Sequence, residues 1–328
     1  MELPRRTLLH LAAGATAAPF VSRLAGAQTY PAHPVRLIVG FPAGGQVDII
    51  ARLTAQWLGE RFGQTVVVEN KAGGGTIIGT ESVVHARPDG YTLLLTPAAL
   101  IANAAFGVKV PYDIDKDLVP VVGFVDLPAL LAASDDAPFK SVAELVAYAK
   151  ADPRRPIPYA SAGVGSLTHL WDEFLKARTG MPLEHVGDTG SADALKDVIA
   201  GHVPLFSDVL VPTATAIRAS KLRGLAVATR ERVALLPDVP TVGEAGLPGT
   251  ECTIPFGVSV PAGTPAEIVA RLNAAFNEAL AGKVLRQKMI ELGFLPVGGA
   301  PEAYAAVVAS EIAKWRQVIK DANIPPPN

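Results

Sequence analysis

Short apolar segments alternate with segments of helical periodicity along most of the chain. The apolar segments are typical of buried strands and cover residues 35–41, 65–70, 91–96, 157–161, 183–186, 223–229 and 256–260. Between the first two, apolar residues recur at intervals of three and four: Ile49, Ile50, Leu53, Trp57 and Leu58. That spacing places them on one face of a helix that packs on a sheet. The alternation predicts an α/β fold.

Capping signals mark several helix boundaries. Ser141 with Glu144, and Thr264 with Glu267, have the spacing of the capping box. Gly201 follows a segment of helical pattern and is predicted to adopt the left-handed conformation that ends a helix. These signals indicate the fold and do not indicate a functional site.

Two long apolar segments indicate how the chain divides. A length of 328 residues suits about two domains. Residues 120–134 form a run longer than an average strand and could cross between domains, and residues 252–260 are a second candidate. Two crossings would make one domain discontinuous. We therefore predict one lobe from residues 28–126 and 254–328 and a second lobe from residues 127–253.

Composition and charge exclude several classes of protein. The chain is 49% hydrophobic and 18% charged, as expected for a compact soluble protein rather than a disordered or fibrous one. No apolar run reaches the length of about 18 residues that a membrane-spanning helix needs. With 29 basic and 31 acidic residues the formal net charge is −2, so nucleic acid is not an expected partner.

The first 27 residues have the pattern of an export signal. Arg5-Arg6 precedes an uncharged stretch that extends to residue 22, and Ala25-Gly26-Ala27 supplies small residues for a signal peptidase. The paired arginines resemble a twin-arginine signal, although an ordinary secretory signal also begins with basic residues. We expect a periplasmic protein without a lipid anchor. Cys252 is the only cysteine, so the chain forms no internal disulfide.

Glycine-rich turns between a strand and a helix are the first candidates for a binding site. Residues 41–48 follow a predicted strand and enter a helix, and they include Phe41, Ala43, Gly44 and Gly45. Free N–H groups and the dipole at a helix N-terminus can hold a carboxylate or a phosphate. A tight structural turn explains the same glycines equally well.

Three further turns have a similar place in the sequence. Residues 72–79 contain Thr76, but their glycine spacing fits neither a dinucleotide-binding loop nor a phosphate-binding P-loop. Residues 161–169 follow another strand and lead into a helix, where Ser166 with His169 suits a helix cap better than a catalytic pair. Residues 188–192 open a helix, and Asp208 follows the predicted strand 203–207 as either a cleft residue or a solvated carboxylate.

The sequence gives no support for catalysis or for a metal. No GxSxG nucleophile motif occurs, and the six histidines show neither HxxxH nor HExxH spacing. We therefore predict no catalytic residue, no metal site and no cofactor.

Taken together, these motifs resemble the Bug-type solute receptors of tripartite tricarboxylate transporters. The resemblance spans the whole chain after the predicted signal. Its motifs in chain order are Phe41-Pro42-x-Gly44-Gly45-x-x-Asp48-x-x-Ala51-Arg52, Val67-x-Glu69-Asn70, Arg87-Pro88-Asp89-Gly90-Tyr91-Thr92-Leu93-Leu94, Gly163-x-Gly165-Ser166-x-x-His169-Leu170, Gly190-Ser191-Ala192, Pro237-Asp238-Val239-Pro240-Thr241-Val242-x-Glu244-x-Gly246-Leu247-Pro248 and Pro261-Ala262-Gly263-Thr264-Pro265.

The resemblance implies a fold of the periplasmic binding protein type II kind. Each of two lobes would have a central mixed β-sheet flanked by helices, with a ligand cleft between the lobes. The implied function is the capture of a small organic carboxylate by a monomeric, non-catalytic receptor for the membrane subunits of a tripartite transporter. The same receptor could instead feed a sensor kinase, and a secreted hydrolase is a more distant alternative.

In this family, main-chain amides and ordered water hold the carboxylate, without an arginine clamp. Neither residues 41–48 nor residues 161–169 contain a lysine or arginine, which agrees with that arrangement. The implied ligand-binding residues are Phe41, Ala43, Gly44, Gly45, Gln46, Thr76, Ser161, Gly165, Ser166, Thr189, Gly190, Ser191 and Asp208.

The chain departs from the family pattern within this set of residues. Gln46 and Val47 stand where the family has Ser or Thr, and Thr76 and Ile77 replace Gly and Asn. At residues 187–189, Gly-Asp-Thr replaces an aromatic residue and a cation. Asp208 keeps the acid of the family's Phe-Asp pair. We expect Asp208 to meet an amine, hydroxyl or protonated acid at the far end of the ligand, because an unpaired carboxylate would repel a second one.

Overall fold

The structure, a computed structural model, describes residues 30–187 and 190–326. The predicted export signal and Thr189 lie outside the described residues. By its internal contacts the chain divides into Met1–Ala32 and His33–Asn328. All of the elements given below belong to the second unit.

The first part of the fold alternates strands and helices, as the periodicity predicts. Its elements in chain order are β1 (Val35–Val39), α1 (Gln46–Phe62), β2 (Val66–Asn70), a 3-10 turn (Gly74–Thr76), α2 (Ile77–Val84), β3 (Thr92–Thr96), α3 (Ala99–Phe106), α4 (Ile114–Asp117) and β4 (Leu118–Ser134).

The rest of the chain repeats this alternation and ends in three helices. Its elements are α5 (Val142–Ala151), β5 (Ile157–Ala160), α6 (Leu167–Thr179), β6 (Leu183–His185), α7 (Ser191–Ile199), β7 (Leu205–Val209), α8 (Leu210–Arg218), β8 (Leu222–Val227), β9 (Thr253–Pro261), α9 (Ala266–Ala281), α10 (Lys283–Glu291), β10 (Leu295–Pro296) and α11 (Pro301–Asp321). None of the helices among the described residues is both long enough and apolar enough to span a membrane.

One continuous mixed sheet connects the strands in the order β2-β1-β3-β9-β4-β7-β5-β6, with β8 and β10 also paired to β4. The first half of this sheet contains β2, β1, β3, β9 and β10, and the second half contains β7, β5, β6 and β8. The strand β4 belongs to both halves. Its residues 118–128 pair with β9, and its residues 129–134 pair with β7 and β8. The first predicted crossing segment is therefore a single strand shared by two groups of strands. The second is β9, and Cys252 just before it bonds to Ala129 and Ala228. The exact lobe boundaries stay a prediction.

The strand directions make the two halves face each other. β1, β2 and β3 are parallel to one another, β3 is antiparallel to β9, and β9 is antiparallel to β4. The strand β4 therefore runs in the same direction as β3. In the other half, β7 is antiparallel to β4 and parallel to β5, which is parallel to β6. The carboxyl ends of both sets of parallel strands consequently point toward the middle of β4.

The register shows how far apart these strand ends lie along β4. Thr96 at the end of β3 pairs with Gly257 of β9, which in turn pairs with Gly123 of β4, so β3 ends level with Gly123. Val209 at the end of β7 pairs with Ala129 of β4, so β7 ends level with Ala129. Six residues of extended chain correspond to about 20 Å. The loops that follow β1, β2, β5 and β6 project into this gap.

Each half has its own buried core. In the first half the core includes Ile38, Leu94 and Leu118, and in the second it includes Ala132, Ala160 and Phe206. Two cores joined by extended strands permit a relative motion that leaves each core intact.

The capping predictions have mixed outcomes. The Ser141 hydroxyl accepts the N–H of Glu144, as predicted, and Gly201 has a left-handed φ of 77°. The prediction for Thr264 is wrong, because its hydroxyl donates to the Pro261 carbonyl and Pro265 occupies the N-cap without a side-chain bond. Thr264 therefore lies one residue before the N-cap, outside the position from which a side chain caps the helix.

A glycine pair in the first half of the sheet has a packing role that the sequence does not indicate. Gly123 of β4 pairs with Gly257 of β9, and the ring of Tyr304 from α11 lies directly on this pair. A Cβ atom at Gly257 would overlap that ring. Helix α11 therefore approaches the sheet closely because β9 lacks a side chain at Gly257.

We expect Gly257→Ala to lower the free energy of unfolding by about 3 kcal/mol, because the added methyl group and the Tyr304 ring would occupy the same space. Chemical denaturation of the purified protein measures this. Gly243→Ala is the matched control, since the nearest atom to a Cβ there is the Thr241 Oγ1 at 3.7 Å. Equal stability of the two variants would contradict this packing analysis.

Candidate functional site

The loop between β1 and α1 contains Phe41, Ala43, Gly44 and Gly45, and Gln46 is the first residue of the helix. Gly44 has a φ of 84°, which favours glycine, and Gly45 is the N-cap without a side-chain cap. The first helical bond joins the Ile49 N–H to the Gly45 carbonyl at 3.0 Å. The N–H groups of residues 46–48 therefore have no acceptor within the helix and are suited to an anion.

Asp48 fixes the shape of this loop. It is 3% exposed, and its Oδ2 accepts the Gly44 N–H at 2.8 Å and the Arg52 Nε at 2.9 Å. The Asn70 side chain donates both to Asp48 Oδ1 at 2.9 Å and to the Phe41 carbonyl at 3.0 Å. Asp48 thus ties the loop after β1 to the end of β2.

These bonds also determine which groups remain for a ligand. Burial raises the pKa of Asp48, but the bonds from Arg52, Gly44 and Asn70 outweigh it and hold that pKa below its usual value. An ionised Asp48 already binds the Gly44 N–H and neutralises Arg52. An anion at this loop is therefore expected to use the amides beyond Gly44.

Thr76 brings the second loop against the first. Its Cβ lies 2.9 Å from the position that a Cβ on Gly40 would occupy, so only glycine fits at position 40. Thr76 itself has a φ of 77°, a strained conformation for a β-branched residue. It is 5% exposed, and in the described part of the chain its hydroxyl has no hydrogen-bond partner, as is also true of the Gln46 Oε1. A buried polar atom without a protein partner requires an explanation, and a bound ligand or an ordered water can supply one.

The loop after β5 satisfies most of its own amides. The N–H groups of Ala162, Gly163 and Gly165 donate to the Thr168 hydroxyl, the Ser161 hydroxyl and the His169 Nδ1 at 3.4, 3.2 and 3.3 Å. The Ser166 N–H donates to the Gly163 carbonyl. These four N–H groups therefore already have acceptors in the loop or in α6, and an anion site in this loop stays a prediction.

The hydroxyl of Ser166 accepts the His169 N–H at 3.2 Å and caps α6, as predicted. Sequence reasoning missed the ring cluster behind this loop. The rings of His169 and His185 lie 4.7 Å apart, and His185 Nε2 bonds to the Ser161 hydroxyl at 2.9 Å. Tyr159 packs beside both histidines. This pairing depends on β5 and β6 being neighbours, which no local sequence pattern indicates.

Asp208 lies near the end of a strand, as the sequence predicts, and is one residue before the end of β7. It is 1% exposed, its Oδ1 accepts the Val209 N–H at 2.7 Å, and its Oδ2 has no partner among the described residues. Burial raises its pKa to about 6, against smaller opposing effects of hydrogen bonds from Ser191 and Val209. Gly190 precedes α7 in a left-handed conformation with a φ of 86°.

The predicted site residues therefore form two groups. One group follows β1 and β2 and contains Phe41, Gly44, Gly45, Gln46 and Thr76, with Ala43 in the same loop. The other group follows or ends the parallel strands of the second half and contains Ser161, Gly165, Ser166, Gly190, Ser191 and Asp208. The strand directions point both groups toward the middle of β4. Among the described residues, no group of three or more His, Cys, Asp or Glu is placed to hold a metal ion.

Comparison with known proteins identifies the family. The model for the tripartite tricarboxylate transporter family receptor matches residues 50–324. The chain belongs to this receptor family. A UPF0065 protein from the tcbD-tcbE intergenic region of Pseudomonas sp. strain P51 is 38% identical over 316 residues, which cover 96% of this chain and 93% of that protein. BugT of Bordetella pertussis is 35% identical over 297 residues, covering 90% and 91%.

Solved structures of similar proteins share the fold. R. palustris Rpa4515 with adipate has a TM-score of 0.80 and 36% identity, and the match covers 91% of this chain and all of that one. MatC from Rhodopseudomonas palustris with bound malate has a TM-score of 0.73 and 33% identity, with coverages of 88% and 100%. The predicted two-lobed fold and the predicted family are confirmed, and the chain is a solute-binding receptor, not an enzyme.

We expect Thr76→Gly to raise the free energy of unfolding of the unliganded protein by roughly 1 kcal/mol, because glycine adopts the left-handed conformation without strain. Urea denaturation measures this change. Thr80→Gly is the matched control, since Thr80 is buried within helix α2 and glycine there should destabilise the protein. A loss of stability in Thr76→Gly as large as that in Thr80→Gly would contradict the strain at residue 76.

Proposed function

We propose that this chain is a periplasmic receptor that captures a small organic carboxylate between its two halves for the membrane subunits of a tripartite transporter. The main support is the N-terminus of α1, where the N–H groups of residues 46–48 lack helical acceptors. Beside them, Gln46 Oε1 and the Thr76 hydroxyl have no partner among residues 30–187 and 190–326. The carboxylates in the related structures, adipate and malate, belong to the same chemical class.

The proposed anion site acts without a basic side chain. A helix N-terminus carries roughly half a positive charge, and its amides are fixed in direction by the backbone. A carboxylate that accepts them need not draw a flexible lysine or arginine out of water. Arg52, the nearest arginine along the chain, already bonds to Asp48 and Asn70 at 2.9 and 2.8 Å.

Capture would be completed by closure of the two halves. Strands β4 and β9 are the extended connections that a hinge motion would bend, and the pairing of β4 with β9 shifts register near Pro120 and Gly123. Ligand that contacts both groups of site residues would favour the closed arrangement. A closed receptor presents a composite surface from both halves, which membrane subunits could distinguish from the open form.

A thermal-shift panel of organic acids tests this proposal. We expect at least one small carboxylate to stabilise the protein by RT ln(1 + [L]/Kd), about 2.7 kcal/mol at a hundredfold excess over Kd. The matched control is the primary amide of each acid, which has the same shape without the charge and should have little effect. Equal stabilisation by acids and amides, or none by any acid, would contradict carboxylate capture.

A further inference from the structure

The carboxylate of Asp208 is affected by hydrogen bonds from Ser191 and Val209, yet its Oδ2 has no partner among the described residues. Asp208 is 1% exposed, and its Oδ1 is bound by the Val209 N–H. A buried carboxylate oxygen is a strong acceptor, and it is costly to leave unbound. Asp208 lies one residue before the end of β7, and this strand ends at the same gap as the loops after β1 and β2.

Two acidic residues of α6 lie behind β7. Burial raises the pKa of the fully buried Asp172, and the charges of Glu173 and Asp208 raise it further. The hydroxyl of Ser207 is bonded to Asp172 Oδ1, and Asp172 Oδ2 also lacks a partner among the described residues. Glu173, next along α6, bonds to Tyr159 and Lys176. An ionised Asp208 would itself repel a second anionic group brought to this place.

We propose that the ligand carries a hydroxyl or ammonium group at the end away from its bound carboxylate, and that Asp208 accepts a hydrogen bond from that group. This inference rests on the proposed capture of a carboxylate at the N-terminus of α1. The carboxylate end of the ligand would accept hydrogen bonds from the amides at the start of α1. The far end would donate a hydrogen bond to Asp208. An unbranched dicarboxylate fits this arrangement poorly.

The deciding experiment compares acids that share a carbon chain and differ only at the far end. Isothermal titration at pH 8 would use the unsubstituted acid, the ω-hydroxy acid, the ω-amino acid and the α,ω-dicarboxylate, each with four, five and six carbons. At this pH Asp208 and both carboxylates of the diacid are ionised, since burial raises the pKa of Asp208 only to about 6. At the length that binds best, we expect the hydroxy or amino acid to bind at least tenfold more tightly than the dicarboxylate and the unsubstituted acid.

Two aspartate variants connect that ranking to Asp208. Asp208→Asn should reduce the preference for the amino acid over the dicarboxylate at least tenfold, because an amide no longer repels the second carboxylate. Asp193→Asn is the matched control, since Asp193 is exposed on α7 and paired with Lys196, and it should leave the ranking unchanged. Thermal melts of both variants check folding.

The possible failures are distinguishable. If an α,ω-dicarboxylate or an unsubstituted acid binds best, or if Asp208→Asn keeps the wild-type ranking, the inference about the far end is overturned while carboxylate capture stands. If no acid of any length or kind binds, the proposed function itself is contradicted. The wild-type ranking decides the inference even if Asp208→Asn does not fold.

Discussion

The buried carboxylate of Asp48 is the interaction on which the first half of the site depends. It binds the Gly44 N–H, the Asn70 amide and Arg52, and Asn70 also bonds to the Phe41 carbonyl. These bonds hold the loop in the one shape that leaves the following amides of α1 directed outward. The same bonds neutralise the nearby arginine. In the proposed anion site, a buried side-chain anion would therefore order the loop whose main-chain amides bind the ligand.

The second constraint is the sharing of β4 between two groups of strands. Because β4 runs with β3 and against β7, the carboxyl ends of both groups point to the same gap. In open α/β sheets, ligands commonly bind outside the carboxyl ends of strands. Here β4 brings the carboxyl ends of both sets of parallel strands to one gap. The amides on one side and Asp208 on the other can therefore contact a single small molecule. The extended connection also permits the halves to move as units.

Much of the fold could be predicted from the sequence, and the limits have physical causes. Apolar runs and glycine-rich turns depend on neighbouring residues, so β1, α1 and the loop between them follow from local pattern. The link from Asp48 to Asn70 crosses 22 residues and depends on β1 pairing with β2. The contact of Tyr304 with Gly257 depends on where α11 returns to the sheet. Such long-range contacts leave no local periodicity to detect.

The site could be predicted in location but only partly in mechanism. The turn at Gly163 and Gly165 has the composition of an anion-binding loop, yet the side chains of Ser161 and His169 use those amides. These acceptors are close in the sequence, but whether their side chains turn back onto the loop depends on the folded conformation. Asp208 was found as an acid near a strand end, but its burial and its unpartnered oxygen are properties of the folded chain.

The most direct test of the account compares Gln46→Pro with Gln46→Ala by titration calorimetry, using the organic acid that stabilises the protein most. Position 46 begins α1 and follows a residue in the extended region, so proline is tolerated there and removes one N–H, whereas alanine keeps it. The account predicts at least tenfold weaker binding for proline than for alanine, with equal thermal stability of the unliganded proteins. Equal affinities would show that the main-chain amide at the start of α1 does not hold the anion.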